Sequence, residues 1–219
     1  MKEKTKAILK QHFSATHIAY MALFTALAYI VTFLEFPIFS GAPFLKLDFA
    51  NVFFMFEGFL FGPVEAVVSI GIKELLCLTK STSAGAGELA NFLMSTAYII
   101  IPSIVYRFKK GRWWVTLYLA CACVLQIAVS LPVNRFINFP VYGNLFGFDG
   151  AALFNSLWHF VLFFNLIKSV SISVIVFFIY KPLAKVVKLT RERLEGGKKK
   201  KLPEEENIQL DEQKEASND

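Results

Sequence analysis

Apolar residues fall into six long runs, at about residues 16–36, 47–62, 64–80, 88–107, 112–132 and 153–182. A helix needs roughly 20 apolar residues to cross a bilayer, so each run reads as a transmembrane helix. Breakers punctuate the pattern. Pro37, Gly41 and Pro43 interrupt the first gap, Gly62-Pro63 marks a tight turn, and residues 81–87 form a Ser/Gly-rich third gap. The fourth gap, residues 107–112, is short and basic, whereas the fifth, residues 133–152, reads as a long loop holding Pro140, Gly143, Gly147 and Gly150.

Composition makes the membrane reading firm. Of 219 residues, 55% are hydrophobic, only 18% are charged, and 24 are Phe. A soluble domain of this size has no interior able to hide that much apolar surface. The expected fold class is an all-α integral membrane protein of six transmembrane helices. Cys77, Cys121 and Cys123 lie inside apolar runs and read as buried free thiols, not a disulfide framework. His12, His17 and His159 are too scattered for a metal centre. No Walker-type phosphate loop, paired-carboxylate metal motif, Cys-His pair or G-x-S-x-G is present, so the chain reads as neither an enzyme nor its own ATP motor. No metal, cofactor or nucleic-acid partner is expected.

Charge gives the orientation. Lys2, Lys4, Lys6 and Lys10 precede the first run, Arg107, Lys109, Lys110 and Arg112 fill the fourth gap, and many Lys and Arg follow residue 180. With six spans these segments share one side, while the opposite gaps hold only Lys46, Lys80 and Arg135. Because flanking positive charge stays cytoplasmic, both termini are predicted inside. The expected organisation is a cytoplasmic N-terminal segment (1–15), a six-helix membrane domain (16–182) and a charged tail (183–219). The first run acts as a signal anchor, since it is too long for a cleaved signal. The tail after about 190 reads as disordered. No inverted repeat is visible.

Charged and amide groups inside apolar runs each need a reason, because a mid-membrane charge costs about 2.5 to 3.5 kcal/mol on insertion scales. Lys168 lies deep in the sixth run, and Asn165 shares its helical face. Together they suit the carbonyl oxygens and ring nitrogens of a planar heterocycle; a helix–helix polar contact or a snorkelling lysine is the alternative. Asn134, Asn138 and the aromatics between Phe136 and Tyr142 suit either a ligand wall or an interfacial aromatic belt. For Glu65, Lys73 and Glu74, pairing with other helices is the preferred account. Ala22 with Ala26, and Gly58 with Gly62, form small-residue stripes suited to close helix packing.

The stretches Leu34-Glu35-Phe36-Pro37, Ala42-Pro43-Phe44-Leu45-Lys46-Leu47-Asp48-Phe49, Phe61-Gly62-Pro63, Gly87-Glu88-Leu89-Ala90-Asn91-Phe92 and Asn165-Leu166-Ile167-Lys168 carry a family resemblance. From about residue 16 to 182 the chain resembles the substrate-binding S components of energy-coupling factor (ECF) vitamin transporters, specifically the riboflavin-specific branch. That resemblance implies a non-catalytic bacterial plasma-membrane protein that captures riboflavin outside the cell. It also implies a membrane T component and two cytoplasmic ATPase subunits as partners that drive uptake. By the same match Asn134, Asn165 and Lys168 become polar contacts to riboflavin, with Asn138 as an alternative to Asn134. Leu45, Lys46 and Leu47 belong to a loop that covers the ligand, and Ala22 and Ala26 pack against the T component. On the residues themselves, a flat ring system suits stacking among Phe side chains and Trp158. An S component for another vitamin and a stand-alone secondary transporter are the competing readings. Lys168→Ala is expected to weaken binding while leaving folding intact.

Overall fold

A computed structural model describes residues 15–109 and 111–215, with side-chain surroundings given for most residues between 17 and 182. The N-terminal lysines lie outside the described residues. Helix α1 (Ala15–Val31) ends in a 3-10 turn (Thr32–Leu34). A short antiparallel pair follows, β1 (Phe36–Pro37) with β2 (Lys46–Leu47), Phe36 facing Leu47 and Pro37 facing Lys46. Then come α2 (Ala50–Leu60), α3 (Pro63–Cys77) with a 3-10 turn (Leu78–Lys80), α4 (Ala86–Tyr106) and α5 (Arg112–Val133). A π turn (Asn134–Asn138) joins α5 to α6 (Phe139–Phe146), and α7 runs Gly150–Glu215. The chain divides into two units, one up to Phe178 and one from Ile179 onward, the second being helical as far as Glu215. The disorder expected after about residue 190 falls where no side chain is described.

Four helical stretches are long and apolar enough to cross a membrane: His17–Leu34, Ala86–Tyr106, Arg112–Phe146 and Gly150–Pro182. Helix α2 has only 11 residues, of which Ala50, Asn51, Val52, Phe54, Met55, Phe56, Glu57 and Gly58 are buried. A helix apolar on every side belongs in the interior, and α2 is packed by α1, α3 and α4. At Gly58 an added Cβ would overlap the Ser103 hydroxyl, so this glycine lets α2 and α4 approach closely. The Gly58 stripe therefore serves internal packing. Ala22 and Ala26, by contrast, lie on the exposed face of α1.

The long fifth loop is not found. The helix that begins at Arg112 continues through the π turn to Phe146, leaving only residues 147–149 as a connection. Pro140 occupies the first turn of α6, where a missing N–H costs little once the π turn has shifted the hydrogen-bond register. An apolar segment in lipid keeps its backbone paired, so helix persists through residues that would break it in water. Gly147 ends α6 at φ 74°, its N–H donating to the Gly143 carbonyl at 2.9 Å. Asp149 starts α7, its Oδ1 accepting from the Ala151 and Ala152 N–H groups at 2.8 and 3.2 Å.

Polar pairs stitch the helices below the site. The Tyr98 hydroxyl is 2.7 Å from Ser173 Oγ, Gln126 Nε2 donates to Asn165 Oδ1 at 3.3 Å, and Ser69 Oγ donates to Glu57 Oε1 at 2.6 Å. Lys73 and Glu74 answer each other at 2.8 Å although neighbours on a helix diverge, because both stems are long enough to turn back along α3. The expected partner on another helix is found for Glu74, which also accepts from Asn91 on α4 at 2.7 Å, whereas the Lys73–Glu74 pair lies within α3.

Candidate functional site

The β1–β2 pair, the 3-10 turn after α3, the start of α4, the π turn and the first third of α7 enclose a cavity of about 220 Å³. Along α4 its lining residues are Glu88, Asn91 and Met94, in the first half of the helix, whereas Arg107 follows the last turn. The cavity therefore lies at the end of the bundle opposite the basic 107–112 connection.

Its floor is ionic. Lys168 Nζ donates to Asp48 Oδ2 at 2.7 Å and faces Asn91 Oδ1 at 3.5 Å. Asn91 Nδ2 in turn donates to Glu74 Oε1, which also accepts from Lys73. Lys168, Asp48, Lys73 and Glu74 are all buried, a costly arrangement that persists only because each charge has a partner. Asp48 Oδ1 meanwhile accepts from the Ala50 N–H at 2.9 Å, so the same carboxylate starts α2 and meets α7.

One wall carries amides. Asn134 and Asn138 stand one turn apart on the π segment, and Asn138 Nδ2 donates to Asn134 Oδ1 at 3.0 Å while Asn134 Nδ2 donates to the Ser130 carbonyl at 2.8 Å. The Asn138 Oδ1 atom is buried and accepts no hydrogen bond within the described residues, which suits a donor on a ligand. Asn165 donates to the Val161 carbonyl at 2.9 Å. Phe44, Tyr142 and Phe164 add aromatic surface, Phe44 lying edge-on to Phe139 with centroids 5.7 Å apart.

The rim is held by side chains that fix loops. Lys80 Nζ donates to the Thr32 carbonyl at 3.2 Å and hydroxyl at 3.0 Å, clasping the ends of α3 and α1. Glu88 accepts from Ser81 Oγ at 2.9 Å and Ser83 Oγ at 3.0 Å, ordering the third connection. Lys46 on β2 reaches Glu35 beside β1 at 3.1 Å.

Of the residues singled out by sequence, Leu45, Lys46, Asn134, Asn165 and Lys168 line the cavity together. Leu47 does not. It packs behind the wall in an apolar cluster with Ala42, Leu45, Phe139, Val161 and Phe164, because successive residues of a strand point to opposite faces. Trp158 is 46% exposed and outside the lining, so it offers no stacking surface there. Asn134 and Asn138 both line the wall. Sequence reasoning missed Asp48 and Asn91 as cavity residues, whereas Tyr142 falls in the stretch offered as a ligand wall. Asp48 and Asn91 stand in quoted stretches, yet nothing in a linear pattern joins Lys168 to an acid 120 positions away.

An ammonium, several carboxamides and aromatic rings around one small chamber can hold a planar heterocycle by its edges and faces. Comparison with known proteins agrees with that chemistry. The family model of the ECF transporter substrate-specific component matches residues 16–180. The riboflavin transporter RibU of Staphylococcus aureus (strain TCH60) is 30% identical over 172 residues, covering 77% of this chain and 90% of the relative. The riboflavin transporter FmnP of Bacillus subtilis (strain 168) is 24% identical over 162 residues, covering 71% and 85%. A solved S component of a bacterial ECF transporter superposes with a TM-score of 0.69 at 27% identity, over 80% of this chain and 99% of that one. With a family match spanning most of its length, the chain belongs to the substrate-specific components of ECF transporters.

Proposed function

We propose that this protein is the riboflavin-binding S component of a bacterial ECF transporter, a multi-pass plasma-membrane subunit that captures the vitamin outside for ATP-driven uptake. The observation that carries the reading is the cavity lining, where Lys168 on the floor stands with Asn165, Asn134 and Asn138 around one chamber. The isoalloxazine ring offers carbonyl oxygens to an ammonium and one imide N–H to an acceptor such as Asn138 Oδ1. Phe44, Tyr142 and Phe164 supply surface for its faces, and the hydroxyl-rich rim suits its ribityl chain. Leu45 and Lys46 contact the ligand from the roof, with Leu47 supporting them from behind.

Six spans follow if α2 and α3 count beside the four longer stretches and α5 with α6 counts as one. Both termini are then cytoplasmic, the basic connection faces inward and the cavity faces outward. The membrane domain is residues 16–182, flanked by cytoplasmic segments 1–15 and 183–219. The protein itself carries no catalysis and no cofactor, riboflavin being cargo. Energy comes from a T component and two cytoplasmic ATPases, and the exposed Ala22 and Ala26 offer the T component a flat stripe on α1. At about 220 Å³ the chamber is smaller than the roughly 300–1,000 Å³ of pockets that enclose a drug-sized ligand, so holding the vitamin requires the chamber to widen.

Purification from cells grown with riboflavin tests the reading. The protein is expected to carry a yellow ligand with a flavin absorption spectrum, displaced by riboflavin and not by thiamine, biotin, folate or pantothenate. Displacement by one of those four instead assigns a different vitamin.

A further inference from the structure

Resting on the riboflavin reading, we propose that Asp48 and Asn91 are positioning residues that hold the Lys168 ammonium at the cavity floor. A lysine has a long flexible stem, and its ammonium serves a ligand well only when its position is fixed beforehand. Here it is fixed from two directions. Asp48 takes it at 2.7 Å, and both carboxylate oxygens of Asp48 are engaged, since Oδ1 receives the Ala50 N–H. Asn91 faces it at 3.5 Å with its carbonyl, and that orientation is set because the amide nitrogen donates to Glu74, itself tied to Lys73. A chain of polar contacts thus runs from α3 through α4 to α7 and on to the start of α2. Asp48 directly follows the roof strand β2, so the same contact joins the covering loop to the floor.

The charges around the cavity also balance. Its lining holds four lysines, Lys46, Lys73, Lys80 and Lys168, and four acids, Glu35, Asp48, Glu74 and Glu88. Three of the lysines are already within ion-pair distance of an acid, and Lys80 is held by Thr32.

The test titrates riboflavin into detergent-purified variants. Asp48→Asn and Asn91→Ala are each expected to weaken riboflavin binding about tenfold. In a Lys168→Met background each substitution is expected to change riboflavin affinity less than threefold, because both act through the ammonium. Full-sized effects in that background overturn the positioning role. Should Asp48→Asn fail to give monodisperse protein, Asn91→Ala with and without Lys168→Met decides the positioning role. Wild-type protein that binds no riboflavin defeats the functional reading itself, whereas wild-type binding with unaltered variants defeats only this inference.

Discussion

Lys168 shows how a single residue exposes a site in a membrane protein. A charge in an apolar run needs compensation, and that cost made it legible before any geometry was known. What the sequence could not show was the compensator, Asp48, which is far away along the chain and 2.7 Å away in the fold. The pairing changes the expected outcome of removing the lysine. Lys168→Ala leaves a buried carboxylate unpaired, so the variant should lose about 3 to 5 kcal/mol of stability as well as flavin affinity. The earlier expectation of intact folding is therefore replaced. Combining Lys168→Met with Asp48→Asn should restore most of the lost melting temperature without restoring affinity. Thermal unfolding in detergent alongside flavin titration measures both; equal stability of Lys168→Ala and wild type would refute the pairing.

At the scale of elements, the apolar runs located α1, α2, α3, α4, α5 and α7 because helices in lipid must be apolar along their length. The π turn and α6 were misread as loop because Pro140 and the glycines carry breaker signals calibrated on water, where a freed carbonyl finds a partner cheaply. That error hid how Asn134, Asn138 and Tyr142 come to share one face of a continuous helix and line one wall. Small-residue stripes were visible in sequence, but only the fold separates them. Gly58 is buried against Ser103, so Gly58→Leu should overpack the α2–α4 contact and cost about 1 to 3 kcal/mol, read as a lowered melting temperature. Ala22 is exposed, so Ala22→Trp should leave flavin affinity unchanged and abolish riboflavin uptake by the assembled transporter. Loss of binding together with uptake would place Ala22 inside the bundle.

For the whole molecule, the charge map and the fold agree on where the chamber lies, at the end remote from the basic connection. Cys77 lines that chamber, and Cys121 and Cys123 do not. Cys77 is buried, whereas Thr82 is exposed at the chamber rim, so in a variant lacking all three native cysteines and carrying Thr82→Cys, a membrane-impermeant thiol reagent added to intact cells should label position 82. Labelling only after permeabilisation would invert the topology. The most direct test of the central claim is a fluorescence titration of the purified wild-type protein with riboflavin. Flavin emission should be quenched linearly up to one ligand per protein and then rise with free vitamin; emission proportional to added riboflavin throughout the micromolar range would contradict the account.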